Sequence, residues 1–227
     1  MNEFFIISFV ISLKADVNKI CNKICNKMTF FSKAKYRFQP ISEDKRIETY
    51  PFLQACQEIV PFFDILGPTA FAPVKSDING NIEKLTKKYK EDTEKYKILQ
   101  DIIQSEVDAG TTKAKNSATD ALLWLKRALS FILVFLQQVL TGEEDLTKCA
   151  KKAYEGTLKK YHGWMVQSIF SLAMKAVPYR KDFMQKLGQD ESVVLAEMAE
   201  FVNELKTTFD VITDFYEQTG QDDQRKV

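Results

Sequence analysis

Between Asn116 and Leu140 the chain reads NSATDALLWLKRALSFILVFLQQVL, the strongest helical pattern it contains, closed by Thr141-Gly142. Steps of 100° per residue put Asp120, Trp124, Ala128, Phe131 and Phe135 on one stripe, polar at its head and apolar beyond. No segment shows sustained period-two alternation or hairpin turn pairs, so nothing calls for strands. The expected fold class is all-α.

The remaining helices follow from caps and breakers. Ser42, with Glu43 and Asp44 behind it, reads as an N-cap before the apolar positions Ile47, Phe52, Leu53 and Ile59. Pro61 and Gly67-Pro68 break that pattern. Helices are then expected over Thr69–Lys90 and Thr93–Asp108, with Ala109-Gly110-Thr111-Thr112 as a loop. A single long helix is predicted over Glu143–Lys175, with Gly163 tolerated inside it and Pro178 marking its end. Arg180–Leu187 and Ser192–Gln218 complete the set.

A chain of 227 residues, 45% hydrophobic and 28% charged, reads as one domain with a large core. Its formal charge of +1 offers nucleic acid no basic face. The 17 phenylalanines fill a core or line a hydrocarbon pocket, and composition does not separate the two. Cys21, Cys25, Cys56 and Cys149 include no CxxC pair, and with one histidine they make neither a zinc site nor a disulfide framework. Free thiols in a reducing compartment are expected. Near the start, FFIISFVISL is ten residues long, half of a membrane span, and the preceding Met1-Asn2-Glu3 lacks a signal peptide's positive region. Residues 1–40 are therefore read as an extension, poorly packed or amphipathic, with the folded domain over 41–227.

In KSDINGNIEKL, Asp77, Asn81 and Lys84 fall at i, i+4 and i+7, presenting a carboxylate, an amide and an ammonium on one helical face. Alone this is an ordinary solvated face. Trp124 adds a ring that could stack on a sugar, although an indole at the rim of a core stripe has the same pattern. Asp120 shares its azimuth, and an unpaired carboxylate costs several kcal/mol to bury, so it should face water or a ligand. His162 is the sole histidine; it is either a satisfied core residue or a neutral donor to an amide carbonyl. Together these residues suggest a site for a molecule with a polar head and apolar tails.

PFFDILG, KSDINGNIEKL, ALLWLKRALSFILVFLQ, AYEGTLKKYHGW and PYRKDF, in this order and spacing, closely resemble the glycolipid transfer protein family, over about Ile41 to Val227. The resemblance implies a two-layer sandwich of about eight helices around an apolar lipid chamber. It implies that Asp77, Asn81 and Lys84 hydrogen-bond a sugar headgroup, that Trp124 stacks on its first ring, and that Asp77 and His162 hold the ceramide amide. Phe62, Phe63, Phe71, Val74, Phe131, Phe135, Leu158, Phe170, Phe183, Phe201 and Val227 would line the chamber for the chains. Trp164, with Lys175, Pro178 and Tyr179, would dock on the membrane.

Three positions depart from the vertebrate pattern. Leucine is expected at Asp120, tyrosine at Arg225 and tyrosine at Lys175. Asp120 would add an acceptor for a second sugar and alter headgroup preference, and Lys175 would favour anionic surfaces. The sister branch that moves ceramide-1-phosphate carries arginines at the positions of Asp120 and Trp124 and lysine at Asn81; an acid, an indole and an amide here favour sugar over phosphate. The expected function is thus a cytosolic, monomeric carrier that contacts membranes transiently and moves a glycosphingolipid between them. Ceramide-1-phosphate transfer and a non-transferring sensor acting through a protein partner are the alternatives. Phe62-Phe63 offers a possible contact for an endoplasmic-reticulum adaptor. No nucleophile and base set, metal cluster or phosphate loop marks an enzyme, and no cofactor is implied.

Overall fold

The computed structural model describes residues 28–227, and Cys21, Cys25 and FFIISFVISL lie outside them. Its elements are α1 (Phe30–Lys33), α2 (Thr49–Ile59), α3 (Phe62–Leu66), α4 (Ala72–Glu91), α5 (Leu99–Asp108), α6 (Ala118–Leu140), α7 (Leu146–Gly156), a 3-10 turn (Lys159–Tyr161), α8 (Trp164–Met174), α9 (Arg180–Leu187) and α10 (Glu191–Gln218). Among the described residues there are no strands, only an isolated antiparallel bridge between Glu48 and Ile98. The fold is all-α.

α6 organises the molecule. It packs against α4, α10, α7 and α5, while α2 lies on α4, α8 on α7, and α9 on α3 and α10. Burial on several sides explains why its sequence is apolar nearly all round. Its start is fixed twice: Ser117 Oγ accepts from the Asp120 amide at 3.0 Å, and the buried Glu106 carboxylate accepts from the Ala118 and Thr119 amides at 2.8 and 2.9 Å. An anion bonded to the free amides of a helix N-terminus gains from both the hydrogen bonds and the dipole.

Several sequence expectations change. Ser42–Lys45 is a turn, its Ser42 hydroxyl bonded to Asp44, and α2 begins only at Thr49. The reason is tertiary: Thr49 N donates to Lys97 O and Leu99 N to Ile47 O, which ties this segment to residues 97–99. The same pairing holds 92–98 as turn and bridge, so α5 starts at Leu99 instead of Thr93. The predicted helix Glu143–Lys175 is three pieces. Thr157 leaves the helical region at φ −124, the 3-10 turn follows, and His162 and Gly163 are extended before α8 begins. Unlike an isolated glycine within a helix, Gly163 here accepts a neighbour: a Cβ on it would stand 3.1 Å from Val227 O. Two alternating faces of one helix thereby become two separate walls.

The packed unit also reaches back into the segment read as an extension. Phe31 and Phe38 are buried, Phe31 and Phe38 both stack near Phe201, and Arg37 pairs with Glu204 at 2.9 Å. Cys56 and Cys149 are buried free thiols, and burial pushes both thiol pKa values up. No helix among the described residues is long and apolar enough to cross a membrane.

Candidate functional site

A cavity of about 450 Å³ lies between α4, α6, the 3-10 turn and α8. Asp77, Asn81, Lys84, Asp120, Trp124 and His162 border it together, with Val74, Leu158, Phe170 and Val227 from the expected apolar lining. The other expected lining residues lie elsewhere: Phe62, Phe63, Phe71, Phe131, Phe135 and Phe183 are fully buried in a close-packed ring cluster behind it. Phe201 is further off, against Phe31. Both rings of Phe62-Phe63, the expected adaptor contact, are buried.

On α4 the three polar groups form a chain. Lys84 Nζ donates to Asn81 Oδ1 and Asn81 Nδ2 donates to Asp77 Oδ2, both at 3.3 Å. Asn81 is buried and Asp77 reaches the mouth; burial of its carboxyl raises the Asp77 pKa, and Lys84 opposes the shift. These are long, weak bonds whose groups retain capacity for further partners.

His162 sits in the break between the 3-10 turn and α8, not on the helix predicted for it. Its ring lies nearly parallel to Trp124, with centroids 6.3 Å apart, and packs on Tyr154 and Phe170. Tyr154 Oη and His162 Nδ1 are 3.1 Å apart. Burial, with the neighbouring Arg127 cation, lowers the His162 pKa to about 4, so the imidazole is neutral at pH 7. Burial likewise pushes the Tyr154 phenol up to about 12. The tautomer that carries its proton on Nε2 accepts from Tyr154 at Nδ1, and the other donates to the phenol oxygen.

Sequence reasoning missed Arg127. Its guanidinium is buried between the Tyr161 ring at 3.5 Å and the Trp124 ring at 4.8 Å, where it backs the indole by cation–π contact. Nε and Nη1 have no hydrogen-bond partner. Its spacing of three from Trp124 placed it beside the ring, but an arginine in an apolar helix carries no sign of what will cover it.

Asp120 is not the unpaired acid expected. It forms an ion pair with Arg225, carried by a strap of residues 221–227 that returns across α6. The strap is held by Lys126 to Asp222 at 3.0 Å, by Arg127 to the Asp223 carbonyl, and by Val227 N to Tyr161 O and Gly163 N to Val227 O at 3.0 and 2.6 Å.

The expected docking residues flank the α8 end of the cavity. Trp164 is 77% and Tyr179 85% exposed, Lys175 is exposed and Pro178 half-buried. Met165 and Leu172, at 60% and 66%, extend the patch and were missed, although the i, i+7 spacing of Met165 and Leu172 marks a shared face. Trp164, Met165 and Leu172, exposed apolar side chains this large on one helix, mark an interaction surface.

A polar mouth over an apolar, helix-walled cavity defines a binding protein for amphipathic molecules. The sequence profile of the Glycolipid transfer protein (GLTP) family matches residues 47–189, and the chain belongs to that family. It is 46% identical over 165 residues to human Pleckstrin homology domain-containing family A member 8, and 46% identical over 171 residues to the zebrafish (Danio rerio) protein of that name. These matches cover 72% and 74% of this chain but 32% and 31% of the relatives, so the chain spans about a third of their length. Among solved structures, it resembles the FAPP2 GLTP-fold structure, described as selecting simple glycosphingolipids, with TM-score 0.83 and 38% identity over 88% of this chain and 100% of that one. It resembles the fungal glycolipid transfer protein HET-C2 with TM-score 0.77 and 37% identity over 83% and 97%. Mouse ceramide-1-phosphate transfer protein shares the fold at 21% identity, TM-score 0.75, over 86% and 95%. The chain stands with the glycolipid branch.

Proposed function

We propose that this protein is a soluble, monomeric carrier that binds a glycosphingolipid by its sugar and its ceramide amide and moves it between membranes. The observation that carries this reading is the convergence of Asp77, Asn81, Lys84, Trp124 and His162 from three separate segments on one cavity with an apolar floor. Trp124, stiffened by Arg127 behind it, offers its face to a sugar ring. Asp77, Asn81 and Lys84 accept from and donate to the hydroxyls, and Asp77 also accepts from the amide N–H. The neutral His162 donates Nε2–H to the amide carbonyl, which requires no proton transfer. No covalent step is involved, and the protein is not an enzyme.

The apolar wall supplies the rest. At about 0.8 kcal/mol per CH₂, taking a sixteen-carbon chain through water costs roughly 12 kcal/mol, so a carrier must shelter it continuously. The cavity holds a headgroup and the first part of the chains; the phenylalanine cluster around Phe131, Phe135 and Phe183 is the soft apolar region that would part to admit the remainder. Trp164, Met165, Leu172 and Tyr179 insert at the membrane surface, with Lys175 favouring anionic headgroups, so loading occurs at a transient contact from the cytosol.

Phosphate binding is disfavoured because Asn81 and Trp124 border the cavity where the ceramide-1-phosphate branch is expected to carry lysine and arginine, so the cationic cradle for a dianion is missing. A glycolipid sensor remains the second reading, with the same pocket. Transfer of a fluorescent monohexosylceramide between vesicles by the purified protein, with no other component, tests the proposal: Trp124→Ala is expected to lose at least about tenfold of the rate. Binding without transfer would favour the sensor, and an unchanged rate in Trp124→Ala would overturn the site.

A further inference from the structure

The arm formed by residues 29–38 is pinned at both ends. Thr29 is buried and caps α1 through its hydroxyl, which accepts from the Phe31 and Ser32 amides at 3.1 and 3.3 Å and is itself bonded to Glu197 on α10. It sits tightly on Gly188, where a Cβ would stand 3.2 Å from Thr29 Cγ2 and 2.8 Å from Val194 Cγ2. At the other end Arg37 donates to Glu204 at 3.0 Å and pairs with Glu200 at 3.4 Å. Between these anchors Phe31 is buried and Phe30 is half-buried against the core.

Phe30 ends a continuous row of rings that starts in the cavity. From His162 the centroids follow at 5.1 Å to Phe170, 6.4 Å to Phe131, 6.3 Å to Phe135, 6.1 Å to Phe62 and 6.0 Å to Phe30. Behind Phe30, Phe31 closes on Phe201 at 5.3 Å. The free space left between the arm, α2 and α10 is about 10 Å³, no more than a single water needs. With bonds of about 1.5 Å and angles near 111°, an extended hydrocarbon advances about 1.3 Å per carbon, so five steps of about 6 Å take up at most roughly twenty-three carbons. A chain that parts these rings from the cavity inward runs out of path at the arm.

We infer that residues 29–38 are the end stop of the hydrocarbon path, and that Phe30 limits the length of the acyl chain the protein carries. This rests on the glycosphingolipid reading above and adds a specificity-determining residue from outside residues 47–189, the part matched by the family profile. The stop works because the arm is fixed at Thr29 and Arg37, so Phe30 cannot swing away as the interior rings part. A longer chain must then leave its last CH₂ groups in water.

The test reads which lipids the protein holds. The full chain is incubated with phosphatidylcholine vesicles containing equal amounts of glucosylceramide with sixteen-carbon and with twenty-six-carbon acyl chains, then re-isolated, and its bound lipid is measured by mass spectrometry. The bilayer shelters both chains fully and only the longer overruns the stop, so the wild-type protein is expected to hold the shorter lipid in excess. Each further CH₂ that the protein shelters is about fourfold in affinity, so Phe30→Ala is expected to raise the long-to-short ratio by about fourfold or more. Phe30→Trp frees no space and is expected to leave the ratio at or below that of the wild type. Equal loading of both lipids by the wild-type protein would overturn the stop, as would an unmoved ratio in a Phe30→Ala protein of normal helicity that still loads the shorter lipid. An equal rise in Phe30→Trp would trace the change to a loosened arm and overturn it as well. Phe30→Leu replaces the alanine variant if that does not fold. Should the wild-type protein load neither lipid, the carrier reading itself fails, and the stop with it.

Discussion

His162 carries its proton chemistry in its burial. The ring is held between Tyr154, Trp124 and Phe170 beside the Arg127 cation, and its pKa falls to about 4 from 6.5. Because the folded protein binds this proton less readily than the unfolded chain, the associated stability is complete above pH 6.5 and is lost as pH falls from there toward about 4. The loss amounts to at most about 3 kcal/mol. Denaturant unfolding across this window should show the loss in the wild-type protein and its absence in His162→Leu, whose glycolipid transfer is expected to fall at least about tenfold. Asp77 runs the other way. Its raised pKa means that the ionised carboxylate is disfavoured in the folded, ligand-free protein. Asp77→Asn should therefore melt no lower than wild type while losing ligand affinity, the signature of a group kept for binding instead of stability.

At the scale of elements, the break between α7 and α8 separates two tasks that one continuous helix could not perform. α7 supplies the packed Tyr154 behind His162, whereas α8 turns Phe170 and Ala173 inward and Trp164, Met165 and Leu172 outward. Leu172→Glu with Trp164→Ala is expected to weaken adsorption to vesicles by about tenfold or more, since burying one leucine side chain contributes about 1.5–3 kcal/mol. Headgroup preference at saturating vesicle concentration should stay as in the wild type; a changed preference would mean that the patch and the cavity are one site.

The whole molecule depends on the strap that returns across α6. Lys126 is 5% exposed in the core, against the Tyr216 ring and bonded to Asp222. Removing one partner of a buried pair leaves a charge without compensation, so Asp222→Ala should cost about 3–5 kcal/mol of unfolding free energy. Chemical denaturation would measure it, and a loss below about 1 kcal/mol would mean that water reaches Lys126 in the folded state.

Much of this was legible in the chain itself. The helical period of 116–140 and the i, i+4, i+7 claw on α4 point to the fold class and place Asp77, Asn81, Lys84 and Trp124 on their helix faces, because local spacing survives folding; His162 joins them only through the family resemblance, since the helix expected around it is broken. Helix starts at Ser42 and Thr93 read well locally and are absent, since the pairing of 47–49 with 97–99 outcompetes both caps. A continuous 143–175 helix was also locally reasonable, but it ends at Gly156, and the next helix begins only after Gly163, against which Val227 packs.

What the sequence by itself determined was therefore which residues face the same way within a segment and what chemistry each can offer. Only the tertiary structure decided which of them meet: that Asp120 and Arg225, separate oddities along the chain, neutralise one another, that Arg127 lies behind Trp124, and that six of the expected lining phenylalanines close on each other behind the cavity. Side-chain spacing is a property of one helix, whereas pairing, burial and the cost of an unmatched charge are set by neighbours that arrive from a hundred residues away.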